Sequence, residues 1–210
     1  MKQLADKLAQ VMDQLDNVDQ DAFMALMADA LEPYPELGWE LGPDPEDGDL
    51  MRLSLVVRDA PAFRDEAATT EAFPVEGEGW RIDLGVPPRD AEIYLEAQVG
   101  EGEDAAVLEI EGEQLGWQMR GADGVVDLVV GIPAGPLRRL GTEEREELAD
   151  IFVMGELGEI NLLDYVNSVS VEDIEALSEE WPSLTTLRRA FVARYPDCAY
   201  AEWMRWSREE

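Results

Sequence analysis

Apolar positions recur at helical spacing in two stretches at the start of the chain: Leu4, Leu8, Val11, Met12 and Leu15, then Phe23, Leu26, Met27, Ala30 and Leu31. Such spacing lines one face of a helix, so residues 1–32 read as an amphipathic helical hairpin. Asn17 or Asp19 is placed to cap the second helix, and Pro33-Tyr34-Pro35 stops it. The apolar face of the pair, residues 2–32, suits either docking in cis on a sheet or pairing with a second copy as a homodimer.

From residue 37 the period changes. LGWELGP (37–43) and LMRLSLVVR (50–58) alternate like strands, joined by the turn PDPEDGD. PAFRDEAATTEAF (61–73) predicts a short helix opened by Pro61, and GWRIDLGV (79–86), AEIYLEAQV (91–99), AAVLEIEG (105–112), LGWQMR (115–120) and VVDLVVGI (125–132) predict further strands. Their short links favour antiparallel pairing, so the middle of the chain reads as an antiparallel meander. After Thr142, taken as a helix cap, Leu148, Ile151 and Phe152 mark a helix; LLDYVNSVSV (162–171) has strand character, and SLTTLRRAFVARYP (183–196) predicts a last helix. The expectation is one α+β domain over residues 1–210, a mainly antiparallel β-sheet packed by helices: a helical hairpin (1–32), a mostly β region (37–132), then a helix, strand, helix and Trp-containing tail (142–210).

Composition narrows the chemistry more than it assigns it. Hydrophobic residues make up 46% of 210 residues, enough for a real core, and no apolar run has the roughly 20 residues needed to span a bilayer. With no signal-like stretch at the N-terminus, the expected location is cytoplasmic. The chain contains no histidine and one cysteine, Cys198. Ser-His and Cys-His pairs, histidine-ligated metals and disulfides within the chain are thereby excluded, and no phosphate-cradling G-x-x-x-x-G-K-[ST] occurs. GEGEDA (100–105) matches the outline of a dinucleotide-binding turn, but the alternating AAVLEIEG after it is a strand pattern and its carboxylates would repel a pyrophosphate; it reads as a hairpin turn. The acidic turn PDPEDGD fails the spacing of a calcium loop and reads as a solvated turn. No cofactor and no metal is expected.

Charge is the strongest compositional signal: 48 Asp and Glu stand against 16 Lys and Arg, for a net charge of -32. Direct binding to nucleic acid or to anionic membranes is disfavoured, since both recruit clustered cations. The acidity suits either a salt-adapted composition or a basic protein partner.

Three functional readings follow. The first is a non-enzymatic protein-interaction or regulatory module, with an apolar anchor in the helical hairpin or in Trp203 and Trp206, which lie three apart in the tail. The second is a carboxylate-dependent, possibly metal-assisted enzyme using Glu156, Glu159 and Asp164 around GELGE (155–159), where apolar flanks favour partial burial. Gly158, or Gly155, equally explains that segment as a helix end. The third is a small-ligand-binding domain with a pocket lined by Trp39, Trp80 or Trp117 and by Arg138 or Arg139.

PELGWELGP (35–43) and the segment from Ile151 to Ser170 resemble an uncharacterised family of bacterial proteins. Its wording is P-x-L-x-W-E-x-G-P early and L-L-L-D-x-L-L-G-E-x-D-V-x-x-x-I-G later; Leu157, Gly158 and Glu159 match, while Met154 and Asn161 stand where the pattern has Asp. The resemblance implies an α+β domain, and it implies no activity, substrate or cofactor.

Overall fold

A computed structural model describes residues 1–89, 93–99, 106–121 and 124–207. Residues 100–105, read above as a hairpin turn, lie outside them. The fold is α+β with strands in three sheets, mostly antiparallel. The sequence reading treats 1–210 as one domain; the contacts group residues into two compact units, Met1–Val86 and Pro87–Glu210.

The first unit begins with the expected hairpin: α1 (Lys2–Met12) and α2 (Gln20–Leu31), the latter capped by Asp19, whose side chain accepts from Ala22 N at 2.9 Å. Strands β1 (Gly38–Pro43) and β2 (Met51–Val56) pair antiparallel, α3 (Pro61–Thr70) crosses over, and β3 (Val75–Gly77) and β4 (Trp80–Leu84) complete the order β1-β2-β4-β3. Here β2 and β4 run parallel, because α3 gives the chain enough length to return to the same end. Side chains alternate across the sheet. Trp39, Leu53, Leu55, Trp80 and Ile82 share one face, and α1 packs over β3 and β4 on that side. Leu4, Leu8, Val11, Met12, Phe23 and Met27 are all buried. The hairpin's apolar stripe is thus used within its own unit.

The second unit holds the ribbon β5 (Tyr94–Val99) and β6 (Ala106–Glu111), antiparallel, and a separate sheet of β7 (Gly116–Arg120), β8 (Val126–Pro133) and β9 (Val166–Ile174). β7 and β8 are antiparallel, whereas β8 and β9 are parallel, joined through α4 (Thr142–Leu157) and α5 (Glu159–Tyr165). The continuous meander is therefore corrected to hairpins separated by crossovers. Residues 162–165, expected in a strand, finish α5 instead: after Gly158 turns the chain, the helix resumes for two turns before Val166. The helix predicted over 183–196 divides into a 3₁₀ turn at Leu184–Thr186 and α6 (Leu187–Arg194), and the Trp-containing tail forms α7 (Ala201–Trp206). The cap of α4 also differs: Thr142 is its first residue, and Glu144 reaches back to accept from Gly141 N at 2.7 Å. Ile110, Leu128, Val130, Phe152, Leu157, Leu184, Leu187 and Phe191 form the centre of the core. No helix among the described residues is long and apolar enough to cross a membrane.

Candidate functional site

The GELGE segment is a helix end whose carbonyls are capped from a distance. An α-helix leaves its last four carbonyls without partners in the helix. In α4 these belong to Met154, Gly155, Glu156 and Leu157, and each has a partner. Met154 O accepts from Gly158 N at 2.7 Å, Gly155 O from Arg89 N at 2.8 Å, Glu156 O from Arg188 Nε at 3.0 Å and Leu157 O from Asn161 Nδ2 at 2.7 Å. Gly158 sits at φ 77°, ψ 157°, a region open essentially to glycine alone, which lets α5 start in a new direction. Gly155 is constrained differently: a Cβ there would press on the end of the Ile93 side chain, which would have to shift.

The two glutamates of the segment are buried, Glu156 to 2% and Glu159 to 1% exposure, whereas Asp164 is exposed on α5. Glu156 Oε2 lies 3.6 Å from Arg188 Nε, a buried ion pair. Arg188 also donates to Ser207 Oγ at 2.7 Å and to Arg89 O at 2.8 Å, and its guanidinium lies 4.7 Å from the centre of the Trp203 ring. Its donors are directed at protein groups, so it works as a tie between α4, α6 and α7. Asn161 does the same for the loop before α7: Nδ2 donates to Ala199 O at 2.8 Å and Oδ1 accepts from Ala199 N at 2.9 Å. Among the described residues, no group of three or more Asp, Glu or Cys is placed to hold a metal ion.

Sequence reasoning passed over Arg188 and Asn161. The signal for Arg188 was present: it precedes Phe191 and Val192 by three and four residues, which puts it on the apolar stripe of α6. A second buried ion network in the first unit was missed likewise. Arg52, in the alternating strand β2, donates to Asp44 Oδ2 at 3.2 Å and lies 3.1 Å from Asp83 Oδ2, which Arg81 also reaches at 2.8 Å. Asp44 is buried, a correction to the solvated turn; its Oδ1 accepts from the backbone of Glu46 and Asp47 and so folds the PDPEDGD turn. Glu46, Asp47 and Asp49 are exposed.

The remaining candidates are engaged locally. Trp39 meets Phe23 edge to face at 5.9 Å, Trp80 Nε1 donates to Asp13, and Trp117 Nε1 donates to Thr186 Oγ1. Arg138 donates to Ile174 O and lies 3.8 Å from Asp173, while Arg139 is exposed. On α7, Trp203 is half-buried against Arg188, and Trp206 is 65% exposed.

One face stands out electrostatically. On the β5–β6 ribbon, Leu95, Ala97, Leu108 and Ile110 turn to the core, leaving Tyr94, Glu96, Val107, Glu109 and Glu111 on the other side. Glu96 and Glu109 are direct cross-strand partners, and Tyr94 stands opposite Glu111. Like charges so placed destabilise a ribbon. The Tyr94 hydroxyl donates to Glu96 at 3.3 Å, and its ionisation is pushed up to about 12 by desolvation and by the carboxylates of Glu109 and Glu96. Comparison of the chain with protein-family models, with curated proteins and with solved structures gave no match.

Proposed function

We propose that this chain is a non-enzymatic interaction or regulatory module of the cytoplasm, whose acidic surface receives a basic protein. The observation that carries the reading is the opposed pair Glu96 and Glu109 on the outward face of the β5–β6 ribbon, with Glu111 beside them. No cation among the described residues forms an ion pair with these carboxylates. Their mutual repulsion costs stability, and Lys or Arg side chains from a partner would relieve it. Tyr94, 47% exposed, and Val107, 63% exposed, supply apolar contact on the same face. Trp206 is a further anchor of the kind that dominates interface energetics.

The carboxylates singled out around GELGE support this reading over an enzymatic one, because Glu156 and its carbonyl are engaged by Arg188 inside the unit. The test is capture from the cells that make the protein, at low and at moderate salt, with the wild type and with Glu96→Gln/Glu109→Gln/Glu111→Gln. A basic protein retained at low salt, lost at moderate salt and lost with the triple variant is expected. No retained protein, or retention indifferent to the three substitutions, removes the proposal.

A further inference from the structure

Strand β9 forms one edge of its sheet, in the order β7-β8-β9, and its outer side has no partner strand among the described residues. It is nine residues long, Val166–Ile174, and contains neither proline nor lysine; its one register irregularity lies at the start, opposite Val126 and Asp127. Asn167, Ser168, Ser170, Glu172 and Asp173 are exposed along it. Long edges of this kind are templates for another strand, and proteins ordinarily blunt them with charge, proline or bulges.

Charge decides what that strand is. In a chain of net charge -32, residues 166–171 of β9 carry no charge at all. The two carboxylates that follow are already neutralised: Glu172 accepts from Arg120 at 2.8 Å, and Asp173 accepts from Arg145 at 2.7 Å with Arg138 at 3.8 Å. A cationic partner gains little there. A second copy of this chain, repelled nearly everywhere else, meets an edge that carries no unengaged charge of its own, the Asp127 carboxylate beside it on β8 being held by Ser168 Oγ at 2.7 Å and Asn167 Nδ2 at 2.8 Å.

From this we infer that β9 pairs antiparallel with β9 of a second copy, joining the two three-stranded sheets into one of six strands. A twofold axis near Val169 makes the pairing self-complementary. Ser168 of one copy then lies opposite Ser170 of the other, Asn167 opposite Val171, and Glu172 opposite Val166, so no carboxylate faces another. Val169, partly buried at the margin of the core, meets the Val169 of the other copy directly. This dimer is independent of the basic partner proposed above, and salt separates the two: screening the mutual repulsion of two acidic chains strengthens self-association, whereas it weakens attraction of a cation.

The test is sedimentation of the full chain at increasing concentration in low and in roughly 0.5 M salt, a range that cuts the screening length severalfold. Dimer is expected, favoured by the higher salt. Ser168→Glu/Ser170→Glu puts carboxylates opposite one another and weakens self-association by roughly tenfold or more; Ser168→Lys/Ser170→Lys does the same with cations, and an equimolar mixture of the two variants restores dimer. Amide exchange on the wild type supplies a reading that needs no substitution: protection within 166–174 rises with protein concentration. A monomer under all conditions, a dimer that survives both double variants, or exchange in β9 that is independent of concentration overturns the inference.

Discussion

The guanidinium of Arg188 lies over the indole of Trp203 at 4.7 Å while its Nε donates to the carbonyl of Glu156 at 3.0 Å. One side chain therefore joins the end of α4 to α7. Both members of the Arg188–Glu156 pair are almost fully buried, so removing the cation takes the charge partner from a buried carboxylate and the donor from the Glu156 carbonyl, while Gly155 O keeps Arg89 N. Arg188→Met should cost about 3–5 kcal/mol in urea denaturation, the range for breaking a buried pair from one side. Arg188→Lys should recover little, since an ammonium cannot reproduce the planar fork. Adding Glu156→Gln to Arg188→Met should return part of the loss. A cost below about 1 kcal/mol for Arg188→Met would show that the tie is dispensable.

The glycines of GELGE make separate demands and give separable outcomes. Gly158→Ala places a side chain at φ 77°, ψ 157° and should cost about 1–3 kcal/mol. Gly155→Ala inserts a methyl against Ile93 and should cost a similar amount, about 1–3 kcal/mol, through overpacking. Ile93→Val removes the Cδ1 atom that the new methyl meets, so Gly155→Ala should cost less in that background, while Gly158→Ala should cost the same. Equal costs for Gly155→Ala in both backgrounds would refute the close packing of Gly155 on Ile93.

Which parts of this were legible depends on how far apart the determinants lie. The helices α1, α2, α3 and α4 and most strands followed from local period and from punctuation such as Pro61 and Asp19, because those signals act within a few residues. Strand partners did not: the parallel pairing of β2 with β4 and of β8 with β9 is set by the crossovers α3 and α4–α5, and a link of short strands looks the same in either arrangement. The apolar run at 160–165 was ambiguous in kind, since Ile160, Leu162, Leu163 and Tyr165 fit a short buried helix as well as a strand. GELGE was readable as a helix end through its glycines. Its partners Arg89 and Arg188 were hidden, because only the folded chain brings residues so far apart in sequence to one helix terminus, and the second role of Asn161, holding Ala199, depends on the fold in the same way.

Cys198, the chain's single cysteine, should be chemically quiet. It is buried, and burial pushes its thiol up to about 11, so little thiolate exists near neutrality. At pH 8 the folded protein should react with a disulfide reagent about 10²-fold more slowly than the same protein in urea, as expected from the thiolate fraction alone. Comparable rates in the two states would mean that the loop before α7 opens readily.

The last expectation concerns acid. Asp127 accepts from Ser168 Oγ at 2.7 Å and from Asn167 Nδ2 at 2.8 Å, and these bonds hold its carboxyl below the usual carboxylate range; the bonds from Arg120 do the same for Glu172. A carboxyl whose folded value is depressed stabilises the fold above its unfolded value, and that contribution disappears as pH falls through the folded one. Both groups join β9 to its neighbours, so the β7–β8–β9 sheet should keep these bonds at pH 5 and lose them only below the ordinary range, about pH 4. Carboxyl carbon shifts followed by NMR in roughly 0.5 M salt, where the general field of the other carboxylates is screened, should place Asp127 and Glu172 below the bulk of the Asp and Glu signals. Asn167→Ala/Ser168→Ala should bring Asp127 back up without moving Glu172, and Arg120→Met should raise Glu172 and leave Asp127 where it was. Titration of both residues with the bulk would mean that these bonds do not persist in solution, and the acid response of the sheet would then have to come from elsewhere.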